Sequence, residues 1–390
     1  MMAEMRAAAV DRITLLLPDL HPGGAERVVL DLAGHWAKEG RAIDLVCAGV
    51  TGRLREVVPD GVRLVDLGHP RVATSPVALS SYLRRNPERP CWSFLSHMNV
   101  ALLTAGRVLH RHRGPLAVHE VSRFDAGRDP SSPVRRKAVN LGVRALYRQA
   151  DIVAAVSDDI ADDVARVAAL SRATIEVIAN PIDVARIARA AEADADHRWI
   201  GDTSAPVLLS VGRLAPEKDH ETLLQAFALL LRDRALRLIV IGEGELDMAL
   251  RQRAGELGIA HAVDFVGFQM NPWRLMARAD LLVLSSFTEA FALVLAEAMA
   301  CGTNVVSTDC GSGPRDILAH PAFGPLPPPR DPKALAAAIE RRLHTPLHRD
   351  FLMDHARRFD IASRAQVFIE RLAAAVHTSV RGSPRTEERL

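Results

Sequence analysis

Glu289 and Glu297 stand with seven residues between them in Glu289-Ala-Phe-Ala-Leu-Val-Leu-Ala-Glu297, directly after the apolar run Leu281 to Leu284. That order predicts a buried strand, a tight loop carrying one carboxylate, and a helix carrying the second about two turns further on. Both carboxylates then flank the carboxyl end of a parallel strand, where open α/β sheets hold their ligands. Taken alone, the pair reads more simply as a loop acid followed by a helix-surface glutamate. What else the chain brings to the same rim decides between the two.

Cations come from Val207-Leu-Leu-Ser-Val-Gly-Arg-Leu-Ala-Pro-Glu-Lys-Asp-His220. Gly212 closes a strand, Arg213 stands at its carboxyl end, and Lys218 lies just before a helix through Leu223, Leu224 and Phe227. Two fixed cations and helix N-terminal amides around one point suit a diphosphate and neutralise it without a metal. An ordinary loop with solvated cations is the alternative. Gly242-Glu-Gly-Glu245 and Gly267-Phe268 end two neighbouring strands on the same rim. Near the start, His21-Pro-Gly-Gly-Ala-Glu-Arg27 lies between the strand Ile13 to Leu17 and a helix through Leu30 and Ala33. Gly23 and Gly24 let backbone amides approach an anion at that helix start, although a plain turn uses the same residues. The segment is not a G-x-G-x-x-G fingerprint, and the chain has no G-x-x-x-x-G-K-[ST] loop.

Short apolar runs alternate with helix-compatible stretches along most of the chain, the pattern of βαβ units and a parallel sheet. The expected strands are Ile13–Leu17, Ile43–Val46, Val62–Val65, Trp92–Leu95, Leu116–Val118, Ile152–Val156, Ile175–Ile178, Val207–Val211, Leu238–Ile241, Val263–Val266, Leu281–Leu284 and Asn304–Ser307. From about Asn180 to Pro206 the pattern breaks into an Ala-rich polar segment, which reads as the linker between two doubly wound domains. A chain of 390 residues fits that division. The expected domains are 1–183 and 184–349, with a helix over 350–378 packing back on the first and a disordered tail over 379–390.

With 48% hydrophobic and 25% charged residues, the composition is that of a soluble globular protein. The four cysteines, Cys47, Cys91, Cys301 and Cys310, form no C-x-x-C pair and have no His at zinc-ligand spacing, so free thiols in a reducing compartment are expected. No signal peptide and no transmembrane segment can be read, which points to the cytoplasm. Net charge is only +2, but Ser81 to Ala150 holds thirteen arginines and lysines against Glu88, Glu120, Asp125 and Asp129. Within it, Arg135, Arg136, Lys137, Arg144 and Arg148 alternate with Val134, Val139, Leu141, Val143 and Leu146. That stretch fits an amphipathic helix lying on an anionic membrane, or a solvated helix whose apolar stripe faces the core. Nucleic acid is not expected, because no aromatic residues interleave with the arginines.

Val211-Gly-Arg213 with Lys218, Ile241-Gly-Glu-Gly244, Val266-Gly-Phe268 and Glu289-x7-Glu297 with Ala298-Met-Ala-Cys-Gly302 together resemble the retaining glycosyltransferases of family 4, which have the GT-B fold. Gly23-Gly-Ala-Glu-Arg27, Val156-Ser157 and Asn180-Pro181 extend the resemblance over nearly the whole chain. It implies two Rossmann-like α/β domains facing across a cleft, the second holding a nucleotide-sugar co-substrate, with no further cofactor and no metal. It implies that Arg213 and Lys218 bind the diphosphate and that Glu297 holds the ribose. Glu289 would contact the donor sugar, with loop amides of Phe291, Ala292, Leu293 and Val294 assisting, and Phe268 the base. Gly23, Gly24, Gly212 and Gly242 complete the donor site, and His119 after the strand Leu116–Val118 matches a histidine that many relatives keep near the donor sugar.

Relatives commonly carry Gly after the first Glu and often Pro or Gly two residues later, where this chain has Ala290 and Ala292. A positive φ at either site would strain an alanine. Ser96-His-Met-Asn99 and Gly311-Ser-Gly-Pro-Arg-Asp-Ile317 resemble segments of bacterial enzymes that build lipid-linked oligosaccharides or surface polysaccharides. That implies a UDP-sugar donor and a glycan or polyprenyl-diphosphate acceptor, with Arg27, His97 and Asn99 on the acceptor side. A nucleotide-sugar epimerase of the same architecture and a non-catalytic binding scaffold are the alternatives.

Overall fold

The computed structural model describes residues 10–69, 71–124 and 133–381. They form two compact units: one up to Pro181 and again from Ile361, the other Ile182–Asp360.

The first unit runs β1 (Arg12–Leu17), α1 (Gly24–Lys38), β2 (Ala42–Cys47), β3 (Val62–Asp66), α2 (Pro76–Arg85), β4 (Cys91–Phe94) and α3 (Ser96–Leu103). It continues through β5 (Leu116–Glu120), α4 (Pro133–Leu146), β6 (Ile152–Ala155), α5 (Asp158–Ala168) and β7 (Glu176–Val177). The second contains α6 (Val184–Ala191), β8 (Val207–Val211), α7 (His220–Leu230), β9 (Arg237–Ile241), α8 (Asp247–Glu256) and β10 (Val263–Gly267). After these come α9 (Trp273–Met276), β11 (Leu281–Leu284), α10 (Leu293–Ala300), β12 (Asn304–Ser307), α11 (Ser312–Ile317), α12 (Pro332–His344) and α13 (Arg349–Ala356). The last helix, α14 (Ile361–Arg381), returns to the first unit.

Every strand read from the sequence is present, shifted by at most a residue or two at its ends. Both sheets are parallel, ordered β3-β2-β1-β4-β5-β6-β7 and β10-β9-β8-β11-β12. Each order reverses once, between β1 and β4 and between β8 and β11, and at such a point the loops leave the sheet in opposite directions and open a crevice. Strands covered on both faces need apolar residues throughout, which is why β11 (Leu-Leu-Val-Leu) is buried at every position.

The segment expected as a linker folds differently. Asp183 accepts a hydrogen bond from the Arg186 N–H at 2.8 Å and starts α6, which belongs to the second unit. The Arg186 guanidinium lies 4.7 Å over the Trp273 ring, and Asn271 donates to the Ala190 carbonyl at 2.8 Å. The boundary therefore falls at Pro181/Ile182 rather than after 183. The expected helix over 350–378 is likewise two helices. α13 stays in the second unit, where His355 meets the Ile317 carbonyl at 2.7 Å. α14 carries Phe368 into the first unit's core, 4.8 Å from Trp92 and 6.3 Å from Trp36 between ring centres. It reaches Arg381, so the tail expected from 379 does not start there, and 382–390 lie outside the described residues.

Removing the Asp183 cap by Asp183→Ala is expected to destabilise the second unit by about 1 kcal/mol, read as a lower urea midpoint. No shift would mean that α6 is held by packing alone.

Candidate active site

β8 and β11 lie side by side at the switch point of the second sheet, with Leu281 opposite Leu208 and Leu282 opposite Leu209. Their loops leave the carboxyl rim together and are tied to each other. Ser285 Oγ donates to the Lys218 carbonyl at 2.9 Å, and the Phe287 N–H donates to the Glu217 carbonyl at 3.0 Å. Lys218 Nζ then reaches Glu289 Oε1 at 2.5 Å, and Ser286 Oγ donates to the same oxygen at 2.7 Å. From the other side, Thr308 Oγ1 donates to the Ser286 carbonyl at 2.5 Å and the Glu289 N–H to the Cys310 carbonyl at 2.9 Å. The sequence alone gave no signal for Ser285, Ser286 or Thr308, because each acts through a strand-end position that only the sheet order defines.

Arg213 follows β8 and pairs with Glu217. Partial burial acts to raise the Glu217 carboxyl, but its own main-chain N–H and Arg213 hold it below its usual range. Gly242 ends β9 at φ 147°, and a Cβ there would lie 1.8 Å from the Gly212 carbonyl oxygen, so only glycine lets these two strand ends touch. Phe268 follows β10 and is partly exposed.

The loop after Glu289 is short: α10 starts at Leu293, so Glu297 stands in its second turn. Leu293, Val294 and Glu297 are partly exposed. Phe291 is buried and turns its ring inward, 5.6 Å from Phe359. Ala292 sits at φ 66°. This is the left-handed region anticipated for Ala290 or Ala292, and it costs an L-residue about 1–2 kcal/mol. Gly313 helps hold it, since a Cβ there would fall 2.4 Å from both the Ala290 oxygen and Phe291 Cα.

In the first unit, Gly23, Gly24 and Arg27 follow β1 and His97 follows β4, the two strands at its switch point. Gly23 caps α1, and the Arg27 N–H donates to its carbonyl at 3.1 Å. His119 and Asn99 are placed otherwise than expected. The His119 ring is fully buried among Trp92, Phe94 and Phe368, with centres 5.3 Å from Phe94 and 5.6 Å from Phe368. Burial pushes it down to about 3, making it a neutral core residue rather than a sugar ligand. Asn99, also fully buried, spends its Nδ2 on the His119 carbonyl (3.1 Å), Glu120 Oε1 (2.9 Å) and Tyr147 OH (3.1 Å). It anchors α3 from within and does not face an acceptor.

The centre of that network is Glu120, which sequence reading passed over. Its carboxylate also accepts from Ser96 Oγ at 2.7 Å and from the Tyr147 hydroxyl. Burial pushes it up to about 7 against these hydrogen bonds, which lower it. The basic window is not one free face either. Arg89 bonds the Ile13 and Ala42 carbonyls and lies 3.0 Å from Asp44, and Arg107 pairs with Asp151. Asp125, Arg128 and Asp129 of that window lie outside the described residues. α4 is exposed along most of its length, with Val134 at 76% and Leu141 at 68%. All four cysteines are buried, and burial pushes their thiols up to about 12. Among the described residues no His/Cys/Asp/Glu cluster could hold a metal ion, and no helix is long and apolar enough to cross a membrane.

Two parallel-sheet α/β units, the second with glycine-closed strand ends, two cations and a carboxylate loop at its switch point, define the class of fold. Residues 22–186 match the family Glycosyltransferase Family 4, and residues 195–364 match Glycosyl transferases group 1. The chain belongs to the glycosyltransferases built from these two domains. An N-acetylgalactosamine-N,N'-diacetylbacillosaminyl-diphospho-undecaprenol 4-alpha-N-acetylgalactosaminyltransferase of Campylobacter jejuni is 34% identical over 46% of this chain and 47% of its own length. The match thus spans about half of that enzyme. An N-acetyl-alpha-D-glucosaminyl L-malate synthase of Bacillus anthracis is 26% identical over 84% of this chain and 87% of its own length. Among solved structures, HepE of Anabaena in complex with UDP-glucose superposes with a TM-score of 0.74 at 21% identity, covering 93% of this chain and 99% of that one. The fold is GT-B.

Gly313→Ala is expected to displace the Ala290–Phe291 main chain and cost about 1–3 kcal/mol, seen as a lower Tm. An unchanged Tm would show that the loop yields freely. For Glu120, the folded protein keeps its proton up to about pH 7, while the ordinary carboxyl loses it near 4.5. Its contribution is complete below about pH 4.5 and is lost as pH rises through 7. The Tm of Glu120→Gln relative to the native protein is therefore expected to rise between pH 5 and pH 8, and a difference independent of pH would refute it. His119 works in the opposite sense, with stability lost as pH falls below 6.5 toward 3.

Proposed function

We propose that the chain is a retaining glycosyltransferase that moves a sugar from a nucleotide-sugar, with UDP as the nucleotide, to a lipid-linked or polysaccharide acceptor. The observation that carries this reading is the set of loops at the β8/β11 switch point, which joins Lys218 to Glu289 and carries Arg213 on the same loop as Lys218. Breaking the bond between the sugar's anomeric carbon and the phosphate oxygen builds negative charge on the departing diphosphate. Arg213, Lys218 and the N-terminal amides of α10 at Ala292, Leu293 and Val294 meet that charge without a metal ion. Glu289 takes a sugar hydroxyl, Glu297 the ribose and Phe268 the base, while the bare strand ends at Gly212 and Gly242 admit the phosphates.

The acceptor hydroxyl attacks on the face the diphosphate leaves. Its oxygen bonds the anomeric carbon as the carbon–phosphate oxygen bond breaks, and its proton passes to a phosphate oxygen. Arg27 and His97 belong to the acceptor side, and the turn at Gly23 and Gly24 to the donor. The Campylobacter relative's name, with its diphospho-undecaprenol substrate, supports a polyprenyl-diphosphate acceptor, and UDP-glucose on HepE supports a UDP-sugar donor. The exposed Val134 and Leu141 on α4, beside Arg135, Arg136, Lys137, Arg144 and Arg148, suit contact with anionic lipid at the cytoplasmic face.

Lys218→Ala is expected to lower turnover by orders of magnitude with an unchanged far-UV spectrum; near-native turnover removes Lys218 from the reaction. Nucleotide release should be followed with UDP-, GDP- and ADP-sugars, with and without lipid extract. Acceptor-dependent release marks transfer, and isomerisation without an acceptor would mark an epimerase instead.

A further inference from the structure

Arg213 is engaged by a carboxylate of its own loop, and the chemistry above gives that carboxylate no part. Glu217 is also not loosely placed. Its main-chain carbonyl accepts the Phe287 N–H at 3.0 Å, so its backbone is fixed to the loop that carries Glu289. Pro216 restricts the chain on one side. On the other, Asp219 at φ 46° caps α7 through Thr222, accepting its N–H at 3.3 Å and its hydroxyl at 2.7 Å. The carboxylate is held below its usual range and is ionised at neutral pH. A formal negative charge is therefore built into the place where a diphosphate would meet its cations.

We propose that Glu217 competes with the donor's diphosphate for Arg213 and thereby sets how readily the nucleoside diphosphate leaves. The proposal rests on reading Arg213 as a diphosphate ligand. An incoming diphosphate must take the guanidinium from Glu217 or share it, and in either case it approaches a like charge. Both effects weaken diphosphate binding, whatever sugar or base is attached. Glu217 is a positioning residue acting through Arg213. It prevents the cations from holding the product so firmly that release limits turnover, because binding that stabilises the product as well as the transition state does not raise the rate.

The test is calorimetric titration of the full chain with UDP, GDP and ADP, using the native protein, Glu217→Gln, Arg213→Ala and the double variant. Glu217→Gln is expected to bind the preferred diphosphate about five- to tenfold more tightly. It is also expected to show stronger product inhibition and a kcat that does not rise, and the gain should shrink in the Arg213→Ala background. A general disturbance of the loop would weaken binding, so tightening is a readout that a merely structural role does not give. Equal or weaker binding by Glu217→Gln, with Arg213→Ala still impaired, overturns the proposal and leaves Arg213 as a donor ligand. If Arg213→Ala binds like the native protein, or no diphosphate binds at all, the donor-site reading fails and this proposal fails with it.

Discussion

Lys218 and Glu289 are separated by 71 positions in sequence, and the ion pair between them depends on strand order. Only because β8 and β11 are neighbours do the two loops emerge side by side. The pair is mostly shielded, with the lysine side chain 23% and the glutamate 11% exposed. Removing one partner would leave a charge poorly hydrated, a far larger penalty than losing a surface ion pair. Ser285, Ser286 and Thr308 fasten the loops through main-chain and carboxylate oxygens. Gly313, having no Cβ, lets the Ala290–Phe291 turn pack directly against it. The cost of ordering these groups is met in folding, which is the condition under which fixed charges lower a barrier.

The sheets were legible in the sequence because parallel strands covered on both faces must be apolar at nearly every position, and each such run stood between turn residues. The glycines at 212 and 242 and the cations at 213 and 218 were legible because their types are restrictive at strand ends. Helix α6 was not, since eight Ala- and Arg-rich residues carry little apolar signal and draw their stability from an aspartate cap and the Trp273 ring. His119 and Asn99 failed for another reason. A polar residue beside a strand end looks the same whether it turns to the rim or into the core, and here the ring of Phe368, about 250 positions away, decides for His119, and Glu120 with Tyr147 for Asn99. Glu120 was hidden by its own neighbour, because a carboxylate after a histidine suggests exposure rather than a buried acceptor for three donors.

That carboxylate gives the first unit a specificity element of a different kind. Ser96, Asn99 and Tyr147 come from α3 and from the turn after α4, and each must arrive for the buried oxygens to be satisfied. A packing error that leaves one donor away exposes the cost of a buried, unmatched polar group. The network thus fixes the register of two helices against β5 more sharply than the surrounding leucines and valines could.

α14 has a bearing on the order in which the protein is made. The first unit's sheet is encoded before Pro181, but the side chain packed among Trp36, Trp92, Phe94 and His119 belongs to Phe368. During synthesis, the earlier half must wait with that aromatic surface incompletely covered until the whole second unit has left the ribosome. The second unit, by contrast, is continuous from Ile182 to Asp360 and can close as soon as it emerges. The half translated first is therefore the half finished last, and the interval in between is when the chain is most exposed to aggregation and to chaperones.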